Sequence, residues 1–210
     1  MKLEGEHLFQ GPVKEVWDMF YDPNVLATAI PGMDKLDEIE KNKYEGVMNV
    51  RVGPVSGKFQ GKLALTDVVE PTSLTLGVDG RGAPGYVNGT GQANFVDNGD
   101  GTTLLKYAGD VAIGGALASV GQRMIDSVAK SMIRTAFETL DKTLAARIAA
   151  KAAGQSVEEV KVEAATQADF AKNAMKDVAG ELKGAAEFKM LLYVIPLVII
   201  LVIAAVLLSK

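Results

Sequence analysis

The chain has 210 residues, 22 basic and 26 acidic side chains, a net charge of −4 and no cysteine. With no excess of positive charge it lacks the electrostatic footprint of a nucleic-acid-binding protein, and without cysteine it cannot use thiol catalysis, disulfides, thiolate-held metals or iron–sulfur clusters. Nearly half of the residues are hydrophobic, so there is material for one ordinary core.

In chain order, residues 2 to 9 alternate as a strand with Leu3, His7 and Phe9 on one face and Lys2, Glu4 and Glu6 on the other. The period then changes. Pro12 suits a first helical position, and Val13, Val16, Trp17 and Phe20 form an i, i+3, i+4, i+7 stripe that Asp22-Pro23 ends. A short second helix, residues 24 to 30, stops at Pro31-Gly32. From Lys35 to Ile113 the period is two, punctuated by turn residues, which predicts about six antiparallel strands in a meander. One face of this sheet is apolar, and the inward positions include Gly46, Gly61, Gly80, Gly89, Gly91, Ala93 and Gly109. Small residues there either leave room for a ligand or let the strands bend; the glycines favour neither, and Met48, Met124 and Met132 tilt the reading slightly towards a cavity, since flexible thioethers suit adaptable apolar pockets. Residues 116 to 150 predict one long helix with Leu117, Val120, Met124, Ile125, Val128, Met132, Ile133, Ala136, Phe137, Leu140 and Leu144 on a broad stripe, which the curved sheet covers. The expected fold class is therefore α+β, in a domain of residues 1–150.

Residues 151–189 are rich in Ala, Lys and Glu, are broken by glycines, and read as a tether. Residues 190–209 carry no charge, and fourteen of them are Leu, Ile or Val. A bilayer core about 30 Å thick needs about 20 apolar residues, so this segment is expected to be a transmembrane anchor. Lys172, Lys176, Lys183 and Lys189 precede it and only Lys210 follows, which places the N-terminal domain in the cytoplasm at the cytoplasmic membrane.

Motifs for chemistry are sparse. His7 is the one histidine, and a lone inward histidine is more often a satisfied core residue than a catalyst. Gly80 to Gly85, "GRGAPG", fits G-x-G-x-x-G, but a strand pattern follows where a dinucleotide site needs a helix, so it reads as a hairpin. Nothing in the pattern marks an enzyme or a metal site.

The stretches "DPNVLATAIPGMDKLD", "VRVGPVSGKFQGKLALTDVVEP", "GRGAPGYVNGTG" and "DNGDGTTLLKYAGDVAIGGALASVGQRMI" resemble the CoxG family of carbon monoxide dehydrogenase accessory proteins, a branch of the START/Bet v 1 helix-grip superfamily, over residues 1 to 145. The resemblance implies a helix-grip fold whose long helix closes a hydrophobic cavity. It also implies an accessory, non-catalytic role beside a cytoplasmic carbon monoxide dehydrogenase of the molybdenum hydroxylase type. Such an enzyme must pass electrons to a quinone that lives in the bilayer. One expectation is a carrier that binds a respiratory quinone, menaquinone or ubiquinone, as non-covalent cargo. Its candidate ligand-binding residues are Phe59, Leu63, Leu65, Phe95 and Tyr107 from the sheet with Val120, Met124, Val128 and Met132 from the helix. The alternative is a docking adaptor that recruits the dehydrogenase to the membrane without cargo, for which Ile30, Pro31 and Gly32 and the Gly82 to Gly85 loop are candidate contacts. A cyclase- or aromatase-like activity ranks last, because no acid–base pair stands out among the inward residues.

Overall fold

The computed structural model describes residues 1–156. The tether beyond them and the expected anchor at 190–209 lie outside the described residues; among those described, no helix is long and apolar enough to cross a membrane.

Seven strands form one antiparallel sheet in the order β1-β7-β6-β5-β4-β3-β2: β1 Lys2–Phe9, β2 Met33–Glu40, β3 Lys43–Val52, β4 Val55–Val69, β5 Ser73–Gly82, β6 Gly85–Asp97 and β7 Thr103–Gly114. Two short helices, α1 Val13–Phe20 and α2 Pro23–Ala29, join β1 to β2, and a long helix α3, Gln122–Ala152, follows β7. This is the curved antiparallel sheet with a long C-terminal helix expected from the period of the sequence.

Local chemistry sets the element ends. Pro12 is not the first helical residue but the N-cap of α1, in extended conformation. Asp22 caps α2 by accepting from the backbone N–H groups of Asn24 and Val25 at 3.0 and 3.4 Å, with Pro23 at the first helical position. The same carboxylate accepts from Arg147 of α3 at 2.5 Å, so one side chain both starts α2 and ties it to the long helix. The expected single helix from 116 to 150 is broken. Residues Gly115–Val120 form a 3-10 helix, and Gly121, at φ +93° and ψ 146°, turns the chain before α3 begins. That conformation is essentially restricted to glycine, which is why an unbroken apolar stripe does not give an unbroken helix.

The buried core has two parts. The larger joins Phe9, Val16, Trp17, Met19, Leu74, Phe95, Leu105, Leu140 and Leu144 where α1, α2 and the C-terminal half of α3 meet the sheet. The smaller, at the other end, joins Val52, Phe59 and Leu117.

Candidate functional site

Between the two core clusters the register brings inward residues into cross-strand rows. Tyr44, Leu63, Val78, Gly89 and Val111 pair across β3 to β7, and the next row is Gly46, Gly61, Gly80, Val87 and Ile113. One row on the other side, Gly91 pairs with Gly109. Glycines thus form a diagonal band across the concave face, continued on β1 by Gly5, which lies under the Tyr107 ring.

The band does two different things. At Gly89 and Gly109 an added Cβ would lie 2.7 and 2.8 Å from a neighbouring strand's carbonyl oxygen, so these positions let backbones close up as the sheet bends. At Gly61 and Gly80 it would meet nothing nearer than 3.8 and 3.7 Å, and only at ordinary contact distance. There the missing side chains leave space. Leu63, Val78 and Val111, which point inward beside them, belong to neither core cluster and are only half-buried.

Helix α3 carries an unexpected buried surface. Its buried residues include Ser131, Thr135, Thr139 and Thr143, spaced by four and outside the apolar stripe that the sequence predicts. The hydroxyls of Thr139 and Thr143 donate back to the carbonyls of Thr135 and Thr139 at 3.0 and 2.9 Å, which satisfies them within the helix. On the opposite flank Phe137 stacks on His7 with ring centres 4.6 Å apart and lies 5.6 Å from Tyr107. Met132 and Ala136 lie between these flanks on the helical wheel and are half-buried. Apolar residues on both walls that keep solvent access outline a hollow rather than a filled core.

Tyr44 adds a polar group to this surface. The residue is 1% exposed, in the same row as Leu63 and Val78, and its hydroxyl has no hydrogen-bond partner in the protein. The Tyr21 hydroxyl, on a ring stacked against Trp17, is likewise buried and unpartnered. Burial raises the pKa of both phenols, so both remain neutral donors at physiological pH. Alternation places Tyr44 inward, but only the register and its unpaired hydroxyl single it out.

The expected ligand-binding residues separate into groups. Leu63 and Met132 are half-buried and belong to neither cluster, while Leu65 and Tyr107 pack on the edge of the larger cluster, and Val120 and Val128 on the edge of the smaller one. Phe59 and Phe95 are buried within the smaller and larger clusters, and Met124 is exposed at the end of the molecule. Of the candidate docking residues, Pro31 is buried; Ile30 and Gly32 form a tight link, Gly32 at φ +82° pressed against the Asn49 carbonyl. Gly80 to Gly85 is a hairpin, with Gly82 paired to Gly85 across a two-residue turn.

His7 is held in place. Its Nε2 lies 3.1 and 3.0 Å from the two carboxylate oxygens of Asp141, and Phe9 meets the ring edge-on at 4.6 Å. A separate groove of about 620 Å³ crosses the outer face of β2 to β5. Its charges are already matched: Lys35 with Asp37 at 2.5 Å, Lys62 with Glu45 at 3.1 Å and Arg81 with Asp79 at 3.0 Å. Among the described residues no group of three metal-ligating side chains gathers.

The family model for CoxG, the G component of carbon monoxide dehydrogenase, matches residues 5–145. The chain belongs to the CoxG family. Among solved structures, a conserved protein from Geobacillus kaustophilus is similar to this CoxG-family chain at 33% identity, over 69% of this chain and 95% of the other, with a TM-score of 0.66. A START superfamily protein from Mycobacterium smegmatis is similar at 11% identity, 68% and 96% coverage and a TM-score of 0.53. The Zhui aromatase/cyclase from Streptomyces sp. R1128 is similar at 15% identity, 74% and 99% coverage and a TM-score of 0.56. These last two likenesses show that this CoxG-family chain has the START-type fold, and nothing about activity. No curated protein matches the chain.

Proposed function

We propose that this protein is a membrane-anchored accessory partner of a carbon monoxide dehydrogenase of the molybdenum hydroxylase type, and that its hollow carries a lipophilic ligand, a respiratory quinone. Family membership supports the accessory role and the partner. The observation that carries the cargo reading is the hollow itself: Leu63, Val78 and Val111 on the sheet and Met132 on α3 are inward and apolar yet half-buried, beside the open space at Gly61 and Gly80. A hydrocarbon chain laid there would remove their remaining exposure from water, at about 25 cal/mol per Å² buried. The Tyr44 hydroxyl is a donor suited to a quinone carbonyl, which would satisfy a buried group that no protein atom reaches. The protein's part in electron transfer is then binding and delivery: it moves a quinone between the bilayer and the enzyme.

Lipid extraction and native mass spectrometry of the full chain, purified in mild detergent from cells that make quinone, test this. One quinone per chain is the expected result. A ligand-free chain that still binds the dehydrogenase would leave the docking adaptor as the function. The observation favouring that second reading is the outer groove over β2 to β5, whose paired charges could exchange partners with a complementary protein surface. Catalysis is disfavoured because His7 is clamped between Asp141 and two aromatic rings, an arrangement that fixes β1 to α3.

A further inference from the structure

One end of the domain is free of charge. Residues 52 to 57 (VGPVSG), 82 to 96 (GAPGYVNGTGQANFV) and 111 to 122 (VAIGGALASVGQ) contain no Asp, Glu, Lys or Arg. The turn-forming part of each segment comes to the same place. The backbone N–H of Leu117 donates to the Pro84 carbonyl at 2.9 Å, and Leu117 packs with Val52, Val55 and Val87. Pro84 lies over Gly57, and the Met124 sulfur lies over Gly53, 2.8 Å from where a Cβ would stand. Pro54, Tyr86, Ala116, Ala118 and Met124 are exposed on this end. The small core cluster beneath has three buried members, Val52, Phe59 and Leu117.

The side chains that border this cap along the chain are mostly basic. Arg51 and Lys58 flank the first segment, Arg81 precedes the second and Arg123 follows the third, all exposed. Lys58 is paired with Asp34 at 3.2 Å and Arg81 with Asp79, so Arg51 and Arg123 are the two whose charge no carboxylate among the described residues matches. Asp110, which precedes the third, lies farther down β7 in register with Lys2, and Asp97 lies at the far end of β6. At the opposite end of the molecule the loops carry Glu40, Lys41, Asp67, Glu70, Asp97 and Asp100. An uncharged, partly apolar cap bordered by two unmatched arginines, Arg51 and Arg123, on a chain whose net charge is negative, fits the surface of an anionic bilayer: apolar side chains enter the acyl boundary while the arginines meet the headgroups.

We infer that this cap, the 3-10 helix with the β3–β4 and β5–β6 hairpin turns, is the face that docks on the lipid bilayer. The inference rests on the anchored-carrier reading and adds an orientation to it. Helix α3 starts at the cap, and its 31 residues carry the chain about 46 Å away before the tether begins. The attachment point and the docking face are therefore at opposite ends. To dock, the domain must fold back over its tether, and the thirty-seven residues 153 to 189 can stretch to at most about 125 Å, which is enough.

The test places a tryptophan reporter in the full chain, reconstituted in vesicles of brominated phosphatidylcholine and phosphatidylglycerol. Ala118→Trp reports on the cap and Val69→Trp, on an exposed residue near the far end, is the control; Trp17, 3% exposed in the core, provides the blank in the unsubstituted chain. Emission from the cap reporter is expected to shift to the blue and to lose most of its intensity to the bromines, while the control reporter keeps its own. Adding Arg51→Gln and Arg123→Gln should lower the docked-to-free ratio roughly thirtyfold on anionic vesicles, at about 1 kcal/mol per basic residue, and little on neutral ones. Deleting residues 157–184 leaves nine tether residues, about 30 Å at full stretch, shorter than α3. This variant should still co-float with the vesicles but lose quenching of the cap reporter.

Co-flotation without quenching of the cap reporter in the full chain overturns the docking face and leaves the anchor standing. Quenching that survives the shortened tether overturns the fold-back geometry. Failure to co-float overturns the anchor and the inference together. Protection of the cap from hydrogen exchange by the dehydrogenase, with no lipid quenching, would make it a protein contact and overturn the inference too.

Discussion

Two side chains carry opposite predictions about the hollow. Tyr44→Phe removes a buried hydroxyl that has no protein partner, so the ligand-free protein should unfold in urea within about 1 kcal/mol of the parent or later than it. Quinone affinity should fall about three- to tenfold, the worth of one neutral hydrogen bond; unchanged affinity would place the hydroxyl away from the cargo. Gly61→Val should fold normally, because a Cβ there meets nothing nearer than 3.8 Å, yet lose its cargo by filling the space. Gly89→Ala should instead cost about 1–3 kcal/mol, because its Cβ would stand 2.7 Å from the Asp110 carbonyl. The buried phenols also set a pH limit. Burial raises the pKa of Tyr44 and Tyr21 above the ordinary 10.0, so the fold holds their protons more tightly than the unfolded chain does. Their contribution is complete below pH 10 and is lost as pH rises through the folded values. Alkaline unfolding followed by circular dichroism should begin above pH 10 and move higher in the Tyr44→Phe, Tyr21→Phe double variant.

At the scale of elements, Gly121 is the joint between the 3-10 helix and α3. No atom lies within 4 Å of a Cβ built there, so Gly121→Ala tests conformation alone, and the expected loss is about 1–3 kcal/mol in a denaturant titration. This joint also marks where sequence reading stops. The period-two pattern delivered β2 to β7 and the inward set, and the strand pattern after Gly85 correctly dismissed a dinucleotide loop, because alternation is a property of neighbours along one chain. Register is not. That Gly46, Gly61 and Gly80 stand side by side, while Gly91 stands beside Gly109, depends on how hairpins align, and a turn one residue longer would separate them. The buried edge of α3 was hidden for a related reason. Ser131, Thr135, Thr139 and Thr143 satisfy the helical spacing, but a hydrophobicity pattern discounts hydroxyls, even where, as at Thr139 and Thr143, they bond back to their own helix. Leu140 and Leu144, which are apolar and core-forming, were legible.

For the whole molecule, the proposed anchor and cargo are separable in the cell. Replacing residues 190–209 by a soluble tail should weaken electron delivery from carbon monoxide to the respiratory chain while leaving the dehydrogenase active with a soluble dye. Equal loss of both would assign the segment to assembly of the enzyme. The sheet ordering has its own bearing on such a life. Its two edges are β1 and β2, and β2 carries Asp34, Lys35, Asp37, Glu38 and Glu40 in eight residues, with β1 bearing Lys2, Glu4 and Glu6. Copies confined to one membrane surface meet in two dimensions, where encounters are far more frequent than in bulk solution. Charged edges make each such meeting repulsive at the place where strands could otherwise join, so a crowded leaflet would hold these domains as separate shuttles instead of a continuous sheet.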